Sequence, residues 1–353
     1  MFLTSKSRTH SDRKPEDLHP SQEGISLSGQ HSIAALEPRA RTLLPLNTLA
    51  IPLGLVGLAQ AWSVATTALG TPFALVHGFW LIAALAWIST ATAHAHRAKR
   101  TTQRISHQLT HFAHGPLAAL LPLSGMLLGA QLHSTLPLAG TALTLVSITA
   151  AAAFGAWMMS FWMNGQMALE SVHGGYYLPI SAAGLVGSFA AARIGLDWLA
   201  IGSFAIGLFF WVVISMLLFL RLALRPTMPA PLVPTLAIMI APPAVGAAAW
   251  LTISNGQPDA LSVALTAITA FMVMVQAPLL PRYRALPFSH GFWSFTFPVA
   301  SVVALAITWL HLVQPHAWQA ITTGLLGAVT VLVVLIATKS IRLLHKNSRR
   351  SAR

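Results

Sequence analysis

Ionisable side chains are scarce in the apolar part of this chain. Five of the eight acidic residues precede residue 44, and the others are Glu170, Asp197 and Asp259. Asp197 and Asp259 each stand where an apolar segment begins, a position at which a carboxylate stabilises the amino end of a helix. Coupled proton transport usually leaves an ionisable residue within the membrane, and enzyme sites usually show acid pairs or metal-ligand clusters. The apolar segments contain neither, so the sequence argues against an enzyme and against proton coupling.

Histidine is the other side chain whose number invites a chemical interpretation. The chain has 15 histidines and no cysteine. His107, His111 and His114 fall near one face of a helix, but no acidic residue stands nearby to complete a set of metal ligands. We therefore expect neither a metal site nor another cofactor, and we interpret these histidines as titratable groups at a cytoplasmic rim.

The composition is that of an integral membrane protein. Of the 353 residues, 55% are hydrophobic and 8% are charged, whereas about 25% of the residues are charged in a soluble protein. The formal net charge is +13, yet the Lys and Arg residues cluster in short connections beside apolar segments. Because such placement is what orients a membrane protein, we do not expect a nucleic-acid partner.

The distribution of apolar residues divides the chain into three regions. Residues 1–43 are polar and are predicted to form a disordered cytoplasmic tail, and residues 341–353 are predicted to form a basic cytoplasmic tail. Residues 44–340 are a series of apolar segments, each close to the about 20 residues that a helix needs to cross a bilayer. The ten predicted transmembrane helices are 44–69, 72–94, 112–132, 137–162, 175–194, 197–220, 230–253, 259–280, 288–312 and 316–340.

The basic residues predict the orientation of these helices. Connections within successive pairs of segments are short, and connections between pairs are longer. Of the 21 Lys and Arg residues, all except Arg193 lie in or beside the tails and the between-pair connections. An excess of Lys and Arg marks the cytoplasmic side of a membrane protein. Both termini are therefore predicted to be cytoplasmic.

Internal prolines distinguish the odd-numbered segments from the even-numbered ones. A proline removes one backbone hydrogen bond and clashes with the preceding turn, so it kinks a helix. The carbonyl that it frees cannot face lipid and needs a partner inside the protein. We therefore predict an all-α membrane protein of five helical hairpins, with kinked odd helices around a central pore and even helices outside. The kink-forming residues are predicted to be Pro52, Pro122, Pro179, Pro242 and Pro298.

Another arrangement predicts a different pattern of breaks. Many ten-helix transporters consist of two inverted halves of five helices, with one broken helix in each half. That scheme requires breaks in matching helices, such as the first and the sixth. The sixth segment, 197–220, contains no proline, so the sequence favours the repeated hairpin.

A pore of this kind has candidate functional residues. Arg193 is the one cation at the outer end of an inward-facing helix, where it either attracts anions or pairs with Asp197 four residues later. Phe297 precedes Pro298 in mid-membrane, and its ring either projects into the passage or packs in the core; the physics of the sequence does not choose between Phe297 and Phe295. The hydroxyl residues predicted to line the pore are Thr48, Ser124, Ser181, Thr235, Ser294 and Ser301.

Three passages of the chain carry a family resemblance. They read NTLAIPLGLVGLAQAW at 47–62, RPTMPAPLVPTLAIMIAPPAVGAAAW at 225–250 and FWSFTFPVAS at 292–301. Through them the chain resembles the tellurite-resistance/C4-dicarboxylate transporter family, which includes the bacterial TehA proteins and the plant slow anion channels. The resemblance implies ten helices as five hairpins around a pore, assembly as a homotrimer with one pore in each subunit, and occlusion of the pore by Phe297.

The functional expectation follows from the residues and the resemblance together. We expect a channel or facilitative exporter in the inner (plasma) membrane that passes small anions such as chloride, nitrate, sulfite or monovalent organic acids. The expected partners are these anions and the lipid bilayer. The alternative is a proton-coupled carrier of C4-dicarboxylates such as malate, or a sulfite or tellurite carrier.

Overall fold

The structure is a computed structural model that describes residues 43–101, 105–165 and 167–351, and these residues are helical or irregular. The predicted tail 1–43 lies outside the described residues, Leu43 excepted. The α-helices are α1 (Ala50–Leu69), α2 (Phe73–Lys99), α3 (Ile105–Leu109), α4 (Leu120–His133), α5 (Pro137–Met163), α6 (Ala183–Arg193), α7 (Asp197–Leu224), α8 (Ala241–Ile253), α9 (Ala260–Gln276), α10 (Leu280–Arg284), α11 (Thr296–Val313) and α12 (Trp318–Ser351).

Long apolar helices dominate the described part of the chain, which confirms the prediction of an all-helical membrane protein. Nine helical stretches there are long and apolar enough to cross a membrane: Leu46–Leu69, Phe73–Lys99, Gly115–His133, Pro137–Met163, Asp197–Leu224, Ala230–Ile253, Ala260–Arg284, His290–Val313 and Trp318–His345. The fifth predicted segment consists of three shorter pieces instead, which are the 3₁₀ turn Gly174–Tyr177, the π-helical turn Leu178–Ala182 and α6. The last helix, α12, continues to Ser351, past the predicted boundary at 340.

Helices that follow each other in the chain pack side by side. The pairs in contact are α1 with α2, α4 with α5, α6 with α7, α8 with α9, and α11 with α12. Glycine permits the close approach of α6 and α7, because an added Cβ on Gly184 of α6 would lie 2.6 Å from the Cα of Gly207 in α7. Small residues allow such backbone contact in membrane helices.

A second set of contacts joins one helix from each pair. Helix α1 contacts α4, α4 contacts α6, α6 contacts α8, α8 contacts α11, and α11 contacts α1 again. In the most apolar part of Gly115–His133 and of Ala230–Ile253, 72% of the residues are buried, compared with 11% in Ala260–Arg284. The helices of this closed series are thus the interior ones, and their partners present apolar side chains to the surroundings.

The interior helices change their helix type near a proline. Four of them begin with a 3₁₀ segment that passes directly into an α-helix, and the proline falls within the first turn of that α-helix. The N–H groups of a first turn have no partner within the helix, so proline is tolerated there. The 3₁₀ segments are Leu46–Leu49, Gly115–Ala119, Ala230–Ile240 and His290–Phe295, and the prolines are Pro52, Pro122, Pro242, Pro243 and Pro298.

The fifth interior helix has a different irregularity. Pro179 lies in the π-helical turn Leu178–Ala182 ahead of α6. The carbonyl oxygen of Pro179 approaches Gly155 of α5, where an added Cβ would lie 2.5 Å from it. Glycine at position 155 therefore makes room for the irregular backbone of its neighbour.

The two carboxylates predicted to stabilise helix starts differ in detail. Asp259 caps α9, since Oδ1 accepts the backbone N–H of Ser262 at 2.9 Å and Oδ2 accepts Nε1–H of Trp250 at 2.7 Å. These hydrogen bonds lower the pKa of the Asp259 carboxyl, and the bond from the Ser262 backbone has the largest effect. Asp197 is instead the first residue of α7, and the residue at the cap position, Leu196, makes no side-chain capping hydrogen bond.

We expect the contact between α6 and α7 to depend on glycine at position 207. The change Gly207→Ala places a Cβ 2.6 Å from the backbone nitrogen of Leu185, so the helices must separate, at a cost of about 1–3 kcal/mol. Gly202→Ala in the same helix is the matched control, because nothing lies within 4 Å of its added Cβ. The thermal unfolding midpoint in detergent should fall for Gly207→Ala only. Equal midpoints for both variants would contradict the packing described.

Candidate functional site

Two cavities inside the closed series of helices meet at Phe297. The Arg193 cavity has a volume of about 390 Å³ and is lined by Arg193, Gln60, Thr252, Asn255 and Thr308 among others. The His173 cavity, about 70 Å³, is lined by His173, Asn47, His114, Thr235 and Ser294 among others. Among the described residues, Phe297 alone lines both cavities.

The phenyl ring of Phe297 is held by its own helix and by α1. Phe297 is the second residue of α11, and Ser301 Oγ donates a hydrogen bond to its carbonyl oxygen at 2.9 Å. Gly57 of α1 faces the ring, since an added Cβ there would lie 3.0 Å from Cδ2 of Phe297. Gly54, one turn earlier, lies against Thr296 in the same way. The two glycines let α1 approach the start of α11 closely.

Phe295, the other aromatic ring considered from the sequence, has different neighbours. Its centroid lies 5.0 Å from that of Tyr283 and 5.6 Å from that of Phe292. Phe295 lines neither cavity. It packs within an aromatic cluster, whereas Phe297 lines both cavities.

The segment before Phe297 is tied to the last helix. Nε1–H of Trp293 donates to Ser340 Oγ of α12 at 3.0 Å, and both groups are buried. Nearby, the Lys339 ammonium lies 5.8 Å from the centroid of the Phe288 ring. Helix α12 therefore contacts the 3₁₀ segment from which the Phe297 helix begins.

Arg193 ends α6 and lies at one end of the Arg193 cavity. Its side chain is exposed. The sequence left two roles for Arg193, which were attraction of anions and an ion pair with Asp197. Within the described ranges the ion pair is between Arg225 and Glu170, at 3.2 Å, and Arg193 forms none with Asp197. No carboxylate lines either cavity in the part of the chain that the structure describes.

The hydroxyl residues singled out from the sequence fall into two groups. Thr235 and Ser294 line the His173 cavity, and Ser301 lines the Arg193 cavity. Thr48, Ser124 and Ser181 line neither cavity. Oγ1 of Thr48 donates to the carbonyl of Pro45 at 2.7 Å and lies 2.9 Å from Nε2 of His94. Oγ of Ser124 donates to the carbonyl of Leu120 at 2.8 Å. Oγ of Ser181 is buried and has no hydrogen-bond partner among the described residues.

The hydroxyl hydrogens of two lining residues are already engaged. Thr235 Oγ1 donates to the carbonyl of Leu232 at 2.6 Å, and Ser301 Oγ donates to the carbonyl of Phe297 at 2.9 Å. The hydroxyl hydrogens of these two side chains are therefore held by the backbone. Of the five prolines predicted to kink helices, Pro242 and Pro298 line the His173 cavity, and Pro52, Pro122 and Pro179 line neither cavity.

His173 is a fully buried histidine that sequence reasoning did not single out. It precedes the turn Gly174–Tyr177, and its Nδ1 accepts the backbone N–H of Gly175 at 3.1 Å. Its Nε2–H therefore donates to the carbonyl of Ala113 at 2.9 Å. Burial lowers the pKa of His173 to about 4, against the opposing effect of the Ala113 hydrogen bond. Because both ring nitrogens are used in the neutral form, this residue is a structural clamp between two connections.

Other polar lining residues also escaped the sequence analysis. Thr252, Asn255 and Thr308 in the Arg193 cavity lie toward or just past the carboxyl ends of interior helices, and Asn47 in the His173 cavity lies at the start of one. Gln60, in contrast, lies in the middle of α1. The available signal for all but Gln60 was a polar residue near the end of a proline-containing segment. No group of three His, Asp or Glu side chains that could hold a metal ion occurs within the described ranges.

Comparison with known proteins gives a consistent result. A family model described as SLAC1, voltage-dependent anion channel, matches residues 44–341. The chain is 25% identical over 272 residues to a tellurite resistance protein TehA homolog of Haemophilus influenzae, a match that covers 76% of this chain and 82% of that protein. It is 30% identical over 187 residues to the S-type anion channel SLAH2 of Arabidopsis thaliana, which covers 52% of this chain and 34% of that channel. The guard cell S-type anion channel SLAC1 of the same plant is 28% identical over 155 residues, 28% of its length.

The buried His173 predicts a pH dependence of stability. Its folded pKa of about 4 lies below the ordinary value of about 6.5, so the unfolded state binds more protons between these two values. Stability should therefore fall as the pH is lowered from about 6.5 toward 4, by up to about 3 kcal/mol. Thermal unfolding in detergent at pH 7.5 and 5.0 measures this loss. His173→Gln should show a smaller loss than the parent, and the exposed His316→Gln should match the parent; equal losses in all three would contradict the assignment.

Proposed function

We propose an anion-conducting pore for this chain, which belongs to the SLAC1 family of voltage-dependent anion channels. The protein would be a channel or facilitative exporter for small anions such as chloride, nitrate, sulfite or monovalent organic acids. The observation that carries the proposal is that Phe297 alone, among the described residues, separates two cavities within the closed series of interior helices.

The path would run from the Arg193 cavity past the Phe297 ring to the His173 cavity. Helices α1, α4, α6, α8 and α11 would surround it, each the inner member of a hairpin whose outer member faces lipid. Their mutual contacts and their greater burial support this arrangement. In each of them the helix type is irregular or changes near a proline, and irregular backbone at membrane depth is tolerated where it lines a cavity or is buried in protein.

The charges along the path favour anions. No carboxylate among the described residues lines either cavity, so an anion meets no fixed negative charge there. Arg193 stands at one end of the path, where an exposed cation raises the local concentration of anions. Apart from Arg193, no Lys or Arg among the described residues lines either cavity. Conduction requires that an ion can leave as readily as it enters.

Phe297 would close the path. An apolar ring across a narrow passage excludes water and with it a hydrated ion. Gly57 leaves the space that the ring occupies, and Pro298 follows it directly in the first turn of α11. Thr235, Ser294 and Ser301 would contribute to the lining on the two sides of the ring.

The alternative is a carrier of sulfite, tellurite or C4-dicarboxylates. Its support is the match to the TehA homolog, which covers 76% of this chain. The name of that homolog refers to tellurite resistance. A proton-coupled carrier would saturate with substrate and respond to a pH gradient, whereas a channel follows the electrochemical gradient of the anion. The absence of lining carboxylates in the described residues favours the channel.

We further propose the inner (plasma) membrane as the location, with both termini cytoplasmic, and a homotrimer as the assembly. The orientation rests on the basic residues of the between-pair connections and the tails. The trimer rests on the resemblance to the tellurite-resistance/C4-dicarboxylate transporter family.

Phe297→Ala should raise the chloride conductance of the protein in planar bilayers or proteoliposomes, because it removes the ring between the two cavities. We expect an increase of roughly tenfold or more. Phe295→Ala is the matched control and should leave the path closed, since Phe295 packs on Tyr283 and Phe292 instead. A chloride conductance of Phe297→Ala no greater than that of the parent would refute the gate.

Arg193→Gln should lower chloride conductance at low ionic strength. One cation at the mouth of a pore raises the local anion concentration about two- to fivefold, and salt screens this effect. In the Phe297→Ala background, the loss should be visible at about 20 mM chloride and small at about 500 mM. Arg193→Lys keeps the charge and should conduct like the background. An equal loss at both concentrations, or a loss in the lysine variant, would show that the charge is not what matters.

A further inference from the structure

A third cavity continues the path toward the protein surface. The His107 cavity has a volume of about 670 Å³, and its lining includes His107, Gln108, His111, Asn47 and His114. Asn47 and His114 also line the His173 cavity. These two side chains therefore lie at the junction of the His107 cavity and the His173 cavity.

We propose that Asn47 and His114 form a titratable binding site for small anions at this junction, an inference that rests on the proposed anion pore. An anion leaving or entering the path would be held there by the amide N–H of Asn47 and by the ring N–H groups of a protonated His114. The site would bind weakly when His114 is neutral and more strongly when it carries a proton.

The polar groups of the junction are available to a ligand. Oδ1 of Asn47 is buried and has no hydrogen-bond partner within the described ranges. The orientation of an amide is set by its hydrogen bonds, and no described residue bonds to Oδ1 of Asn47. The amide is therefore free to take the orientation in which its N–H donates to an ion. The His114 ring stacks on His111 with centroids 4.8 Å apart, and no described residue hydrogen-bonds to its nitrogens. His173 differs, because both of its nitrogens are engaged.

The charges around His114 leave a proton on it uncompensated. His107 and His111 come from its own connection, and His173 comes from the connection before the fifth interior helix. His94 of α2 contacts Thr48 beside Asn47, and Arg221 of α7 acts electrostatically on His173. Helix α5 carries no titratable residue, and no carboxylate among the described residues lines any of the three cavities. Protonation of His114 therefore adds net positive charge to the junction.

The direction of the pH effect follows from the surroundings. Partial burial, and then the neighbouring His111, lower the pKa of His114 from its ordinary value. His114 is thus neutral at pH 7.5 and gains its proton as the solution becomes acidic. Because burial lowers the pKa of His173 to about 4, His173 stays neutral over the upper part of this range.

The expected effect is moderate in size. A unit charge about 5–7 Å from an anion at a hydrated pore mouth raises the occupancy by the ion about three- to tenfold. Chloride current through an open pore should therefore rise by about this factor when the side of the membrane that holds the His107 cavity is acidified from pH 7.5 to 5.5. Acidification of the opposite side should have less effect.

The test uses the full chain with Phe297→Ala, so that the proposed gate does not limit the current. Chloride currents are recorded in planar bilayers at both pH values, with each side acidified in turn. The ratio of the two currents should be about three to ten for Phe297→Ala and close to one after His114→Gln is added. His96→Gln is the matched control, since His96 is exposed at the end of α2 and lines none of the three cavities; it should keep the ratio of the background.

A lysine at position 114, whose charge does not depend on pH in this range, distinguishes an electrostatic role of His114 from a structural one. His114→Lys in the same background should give a high current at both pH values, whereas a merely structural histidine would not be replaced by lysine. If His114→Gln retains the ratio of the background, the inference is wrong while the chloride current of Phe297→Ala still supports the pore. If folded Phe297→Ala carries no chloride current, the pore itself is refuted.

A direct measurement of binding does not depend on conduction. Chloride that binds protonated His114 raises the pKa of this residue, which can be followed by NMR of labelled histidine in the parent protein. The His114 pKa should be higher in 300 mM than in 10 mM chloride. An unchanged His114 pKa would overturn the site whether or not the pore conducts.

Discussion

The interior of this protein is governed by the need to pair every backbone polar group that lies at membrane depth. A carbonyl or N–H group without a partner costs several kcal/mol in lipid, and an internal proline removes one donor from the helix. In four of the interior helices the proline falls in the first turn of an α-helix, after a 3₁₀ segment, where a donor is dispensable. In the fifth, a π-helical turn holds Pro179 against Gly155. Most of the irregular backbone thereby lies in the interior helices, and the 3₁₀ turn Ala277–Leu279 in the outer stretch Ala260–Arg284 is an exception.

The same constraint fixes the surroundings of Phe297. The joint between His290–Phe295 and α11 brings Thr296 and Phe297 against Gly54 and Gly57 of α1. Neither helix alone determines where the phenyl ring lies, since its space is provided by the missing side chain of a neighbour. The separation of the two cavities is thus a property of the contact between α1 and α11.

The bounds of the apolar segments could be predicted from the sequence. The neighbours that individual side chains contact could not. The helical stretch 230–253 has the predicted bounds, because length and hydropathy are determined locally. Whether a turn before a proline becomes 3₁₀ or π-helical depends on tertiary contacts such as that of Pro179 with Gly155. For the same reason the sequence did not predict which of Phe297 and Phe295 lines the cavities, or that Ser124 hydrogen-bonds to its own helix. It also did not predict that Asn47 and His114, 67 positions apart in the chain, line the same cavity.

The length of α12 has a mechanical meaning. Its 34 residues extend about 50 Å, which exceeds the about 30 Å thickness of a hydrocarbon layer by about 20 Å. The helix is fastened through Ser340 to Trp293, four positions ahead of Phe297. A force on the carboxyl end of α12 is therefore transmitted through this hydrogen bond to the segment that precedes Phe297.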